Sequence, residues 1–189
     1  MYQIEELTEE VKNCRRCTLW KTRKNPVLGS GDPKADTMLI GEAPGRNEDM
    51  KGKPFVGEAG KILDQLLSSI DLRREKVYIT NILKCRPPGN RNPSREEIEA
   101  CTPFLDRQIE FVNPWIIVTL GNFATRYILE KFNIKAESIG RIHGRIFNLK
   151  AKNLKIVPMY HPASALYNPR IKGIMIDDFR AIGDLTESI

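Results

Sequence analysis

The sequence predicts an α/β fold of three layers, α/β/α, with helices on both faces of a central, mostly parallel four-stranded sheet. Three observations carry this expectation. Short β-branched runs alternate with helical-period stretches of ten or more residues, the pattern of parallel strands joined by crossover helices. The length of 189 residues suits one domain, expected over 1–189. The mix of 41% hydrophobic and 29% charged residues is ordinary for a globular chain, which excludes disordered and fibrous classes.

The elements follow in order. Over residues 3–13, Ile4, Leu7 and Val11 recur at helical spacing. Thr37 to Ile40, bounded by Asp36 and Gly41, reads as a short buried strand. A Gly/Pro-rich stretch over 41–57 follows, and Ile62, Leu63, Leu66, Leu67 and Ile70 then mark one apolar helix face. VYITNIL (77–83) is β-branched and reads as a second strand, whereas RPPGNRNPS (86–94) is rich in breakers and reads as loop. Ser94 to Glu97 fit a capping box, opening a helix whose apolar side carries Ile98, Phe104, Leu105 and Ile109. WIIVTLG (115–121) is a third strand and NFATRYILEKF (122–132) the helix after it. GRIHGRIFNL (140–149) and KIVPMYHP (155–162) read as strands, the second buried, and a last helix covers about Met175 to Leu185.

The net charge of +6 points weakly to polyanions. The longest apolar run, Trp115 to Leu120, is too short to span a bilayer. The segment MYQIEELTEE lacks a basic region followed by an apolar stretch, so no signal peptide and a cytoplasmic location are expected.

Cys14 and Cys17 form C-x-x-C, and Cys85 and Cys101 lie far downstream. Four thiols with none left over suggest one Cys₄ metal site tying the N-terminal helix to the body, with zinc and an iron–sulfur cluster both open. A redox C-x-x-C would follow a strand, and this one follows a helix. Arg15, Arg16, Lys84 and Arg86 abut the cysteines and suggest a basic patch suited to a phosphate backbone.

Ligands of such folds sit beyond the C-terminal ends of the strands. There stand GEAPG (41–45), TNILKC (80–85), LGN (120–122) and YHPAS (160–164). With PFVGEAG (54–60) and the four cysteines, these strings resemble the family 4 uracil-DNA glycosylases, iron–sulfur members of the uracil-DNA glycosylase superfamily. The resemblance runs from Cys14 to His161 and the helix beyond.

The resemblance implies a uracil-DNA glycosylase-like fold and a structural 4Fe-4S cluster on Cys14, Cys17, Cys85 and Cys101. It implies removal of uracil from single- and double-stranded DNA without a Lys Schiff base, with a flipped base held by Gly41, Glu42, Ala43, Phe55, Asn81 and His161. Phe55 is then the stacking face. The Asn81 carboxamide can accept from uracil N3–H and donate to O4, the opposite of what cytosine offers. His161 can donate to O2 as charge leaves with the base. Glu42 is the candidate for positioning water, because Ala43 stands where other branches carry an Asp. Glu48 falls near C5 of the base. The family's usual HPAALLRNP reads HPASALYNP here, so Leu166 or Tyr167 is the expected DNA wedge. His143 is expected to be an exposed residue without a role. The expected partner is uracil-containing DNA; the protein is expected to be a monomer off the membrane, and no pattern speaks for or against a sliding clamp.

Two other readings compete: a damage-binding module that does not cleave, and a zinc-stapled nucleotide-binding domain. Against the latter, Ile62 after Gly60-Lys61 breaks a P-loop, and Lys34 occupies the third Gly position of a dinucleotide fingerprint at Gly29 and Gly31.

Overall fold

The computed structural model describes residues 2–186 and builds them around six strands. These are β1 (Ser30–Gly31), β2 (Thr37–Gly41), β3 (Tyr78–Asn81), β4 (Ile116–Leu120), β5 (Phe147–Leu149) and β6 (Leu154–Met159). Their order across the sheet is β1-β3-β2-β4-β6-β5. The inner four are parallel, as expected, while β1 and β5 add short antiparallel edges that make the sheet six-stranded.

The inner strands are buried along their whole length except Lys155, because their period-2 side chains feed two separate layers. Met38, Ile40, Ile117 and Ile156 face α1 (Tyr2–Asn13), α4 (Arg95–Val112) and α5 (Asn122–Lys131) through Leu7, Val11, Leu105 and Ile128. Leu39, Ile79, Val118 and Val157 face α3 (Glu58–Ser68) and α8 (Pro169–Thr186) through Leu63, Leu67, Phe179 and Ile182. The three-layer expectation holds.

The capping box forms. Ser94 Oγ accepts the Glu97 N–H, and the Glu97 carboxylate accepts the Ser94 N–H at 2.9 Å and a fork from Arg91.

Other boundaries shift. Residues 140–149, read as one strand, instead form a helical turn, α6 (Ile139–Ile142), and only then β5. Ile139 and Ile142 are both buried at helical spacing, and Gly144 adopts φ +69 in the turn between. The last helix starts at Pro169, not near Met175; proline suits a helix's first position because its missing N–H has no partner there. Two short helices stand in stretches where none was expected, α2 (Arg46–Lys51) and α7 (Ser164–Tyr167).

Register sets up the site. Gly41 at the end of β2 pairs with Asn81 at the end of β3. Leu120 pairs with Met159, which brings Gly121 beside His161.

Candidate active site

Beyond those strand ends lies a cleft of about 440 Å³ whose walls include Glu42, Ala43, Glu48, Phe55, Asn81 and His161. The sequence segments that supply them are far apart, and the parallel sheet gathers them.

Phe55 is buried and adopts φ 49, a left-handed conformation that costs a non-glycine residue of order 1 kcal/mol or more. The surroundings hold it there from two sides. The Arg74 guanidinium donates to the carbonyls of Pro54, Phe55 and Gly60 and pairs with Asp64. The Glu48 carboxylate accepts the N–H groups of Val56 and Gly57, at 2.9 and 2.8 Å. Gly60 is required, since a Cβ there would enter the Phe55 carbonyl. The Phe55 ring centroid lies 5.7 Å from that of His161, tilted by 30°.

Asn81 is buried, and its Oδ1 has no hydrogen-bond partner among the described residues. An unpaired buried carboxamide oxygen is costly to the fold and is expected where a ligand completes it. Gly41 makes the arrangement possible: a Cβ there would collide with Asn81 Oδ1 and lie 2.6 Å from Phe55 Cζ. Beneath Asn81, Lys84 is 1% exposed and its ammonium donates to Asn81 O (2.6 Å), Thr80 Oγ1 (2.7 Å) and Gln108 Oε1 (2.6 Å).

His161 leaves β6 into a tight turn, where its Nδ1 accepts the Ala163 N–H at 3.2 Å. That bond leaves the proton on Nε2. Burial pushes the imidazole down to about 4, against a smaller opposing pull from Glu48, so the ring is neutral at pH 7. Gly121, at φ +92, passes close behind the ring; a Cβ there would stand 3.1 Å from His161 Cβ. Burial also raises the Glu42 carboxyl above its ordinary range, and no side chain among the described residues hydrogen-bonds it. The cleft therefore holds an aromatic face, an unpaired carboxamide, a neutral N–H donor and a carboxylate.

The four cysteines line a second space, with Arg23, Leu19 and Phe104 around it. None is in a disulfide. Among the described residues no three Cys, His, Asp or Glu side chains are gathered tightly enough to hold a single metal ion. Four thiols standing round one space are the donor set that an iron–sulfur cluster takes. Burial raises the thiols of Cys17, Cys85 and Cys101, the last to about 12, so metal binding here must displace protons. Arg23 donates to Cys85 Sγ at 3.1 Å and to the carbonyls of Val11 and Lys12, which ties the end of α1 to the far cysteine.

Several expectations need revision. Lys84 does not belong to a surface basic patch; it points inward. Arg15 and Arg16 are exposed and lie over Trp20 and Phe104, and Arg86 bonds Asn90. Glu48, expected near C5 of the base, lines the cleft and also holds the Phe55 turn. His143 is half-buried, 2.7 Å from Asp178 and stacked 4.7 Å from Tyr160, so its role is in packing α8. Leu166 and Tyr167 are 41% and 88% exposed. Arg74 went unnoticed because it reaches the site from outside the cleft. Lys84 carried a usable signal, as the only charged residue in the run 77–85.

The fold is an α/β sheet with a polar cleft at the C-terminal ends of its parallel strands, and comparison with known proteins places it. The family model of the Uracil DNA glycosylase superfamily matches residues 28–180. A type-4 uracil-DNA glycosylase of Saccharolobus solfataricus is 50% identical over 100% of this chain and 88% of its own length. One from Archaeoglobus fulgidus is 46% identical over 98% and 94%, and one from Thermotoga maritima 41% over 94% of each. The chain belongs to the uracil DNA glycosylase superfamily and, within it, to the type-4 uracil-DNA glycosylases. It is accordingly a glycosylase, a hydrolase of glycosyl bonds.

Proposed function

We propose that this single-domain protein takes uracil out of single- and double-stranded DNA by hydrolysis, leaving an abasic site, as the first step in repairing deaminated cytosine. The observation that carries the reading is the convergence of Glu42, Phe55, Asn81 and His161, from four separate segments, on one cleft.

A uracil in a duplex is out of reach and must be swung out of the stack, at a cost of a few kcal/mol. Stacking on Phe55 returns about 1–3 kcal/mol. Asn81 Oδ1 accepts N3–H and the amide N–H donates to O4; cytosine presents the reverse pattern, and a good bidentate pair discriminates by about 1–3 kcal/mol. As the C1′–N1 bond breaks, its electron pair moves into the base and onto O2. Nε2–H of neutral His161 donates to O2, and losing such a donor typically costs about 2.7–4 kcal/mol. No proton need be transferred from the ring. Water adds to C1′ beside Glu42, whose carboxylate orients the water, accepts its proton and stabilises the cationic sugar. Among the described residues no lysine lines the cleft, which favours hydrolysis over a Schiff base.

Cys14, Cys17, Cys85 and Cys101 hold a 4Fe-4S cluster in this reading. When bound, the cluster acts as a structural pin. Exposed Leu166 and Tyr167 supply the wedge that fills the gap left by the flipped base, and Arg15, Arg16 and Arg86 meet phosphates. Uracil-containing DNA is the partner; the protein acts as a cytoplasmic monomer. No described helix is long and apolar enough to cross a membrane.

The test is base release from uracil-containing single- and double-stranded oligonucleotides, with iron quantified in the same preparation. Release by the wild type that falls at least 100-fold in His161→Ala and Asn81→Ala supports the reading. DNA binding without released base overturns it.

A further inference from the structure

Lys84 is the largest fully buried side chain with a charge, and neither stacking, base pairing nor water activation uses it. Its ammonium meets three acceptors, the Asn81 carbonyl, Thr80 Oγ1 and Gln108 Oε1. Thr80 spends its own proton on Leu28 O, and the Gln108 amide N–H groups go to Leu28 O and Tyr78 Oη. Three acceptors and no spare donor match the three protons of an ammonium and leave no partner for an amine lone pair. No carboxylate is among these partners, so the charge has no local ion pair among the described residues. Buried charges persist when an opposite charge offsets the loss of water.

The nearest source of negative charge is the cysteine site. The Lys84 backbone N–H donates to Cys101 Sγ at 3.2 Å, and Cys85 is the next residue. Helix α4 carries both Cys101 and Gln108, two turns apart on one face, so Lys84 grips it twice. Its other end grips Asn81. With Oδ1 of Asn81 unpartnered among the described residues, the orientation of that carboxamide depends on its backbone: the register with Gly41 and the carbonyl held by Lys84.

We propose that Lys84 is a positioning residue: its ammonium fixes Asn81 for the pyrimidine and serves as the internal counter-charge to the cysteine-bound cluster, coupling base selection to the metal site. The inference rests on the proposed roles of Asn81 and of the four cysteines, and goes beyond them in linking the two.

The experiment uses cluster-loaded protein and a double-mutant cycle on a uracil-containing oligonucleotide. Lys84→Met keeps the length of the side chain and removes the charge. It is expected to retain wild-type iron content, to lower kcat/KM by about 10- to 100-fold as a displaced binding group does, and to do so mainly through KM. In an Asn81→Ala background the same change costs less than about threefold, because the residue it positions is gone. In a Phe55→Ala background it keeps its full effect. Voltammetry supplies a readout apart from activity: losing the positive charge lowers the reduction potential of the cluster. Equal effects of Lys84→Met in the wild-type and Asn81→Ala backgrounds overturn the positioning, an unchanged potential overturns the counter-charge, and either result overturns the proposal. If Lys84→Met does not fold, Gln108→Leu removes one acceptor of the ammonium and goes through the same activity cycle, where equal effects in the wild-type and Asn81→Ala backgrounds overturn the proposal. Asn81→Ala alone reports on the underlying reading, since wild-type uracil release there overturns the role of Asn81 itself.

Discussion

Acidification should destabilise the folded protein through one ring. His161 titrates near 4 in the fold because burial disfavours its charged form, and near its ordinary 6.5 once the chain unfolds. Between those values the unfolded chain binds a proton at this position and the native chain does not, so lowering the pH favours unfolding. The stabilisation is complete above pH 6.5 and is lost as the pH falls towards 4. At 1.36 kcal/mol for each unit the full loss is about 3 kcal/mol, and about 2 kcal/mol of it has gone by pH 5. His161→Asn removes the titration while the cost of its smaller side chain is the same at every pH. Urea unfolding of cluster-loaded protein at pH 8 and pH 5, extrapolated linearly, should show wild type losing about 2 kcal/mol more than the variant. Equal losses in both proteins would refute the desolvated, neutral imidazole and with it the Nε2–H donor.

Three further outcomes follow from the site. The acid limb of the kcat profile should lie above pH 4.5, the ordinary value from which burial lifts Glu42, and Glu42→Gln should abolish that limb while lowering kcat by about 10²–10⁴-fold; stopped-time base release across pH 4 to 8 measures both. Gly41→Ala drives a methyl into Asn81 and Phe55, and should cost about 1–3 kcal/mol of stability together with most of the affinity for free uracil, read by calorimetry. Arg74→Ala frees the Pro54 and Phe55 carbonyls from outside the cleft; loss of hydrogen bonds to a charged donor, about 1.5–3 kcal/mol, should appear as a lower Tm and a weakened uracil complex.

What was legible in the sequence follows from how each element is stabilised. The inner strands are continuous apolar runs because both faces are covered, and such runs stand out between Gly, Pro and Asp. The edges are harder to delimit: β1 has two residues, too few to show a period, and the three residues of β5 merge in sequence with the helical turn before them. In 140–149 the apolar residues reflect a helical turn followed by a strand, and Gly144 marks the break that one continuous strand could not contain. Phe55 and Asn81 are ordinary core and turn residues by type, so the resemblance was needed to single them out. Lys84 was read as a surface cation because charge suggests solvent, whereas its acceptors include Gln108 from another helix, which sequence order does not bring near.

The two-sided grip of Glu48 and Arg74 on the aromatic turn has a consequence for how the enzyme searches. A wall already stiff before any base arrives cannot mould itself to a misfit, so a normal nucleobase that strays in finds neither a closing motion to trigger nor a looser shape to exploit. With Phe55 as the proposed stacking face, a poor fit is penalised by the fixed shape of this wall rather than relieved by its movement.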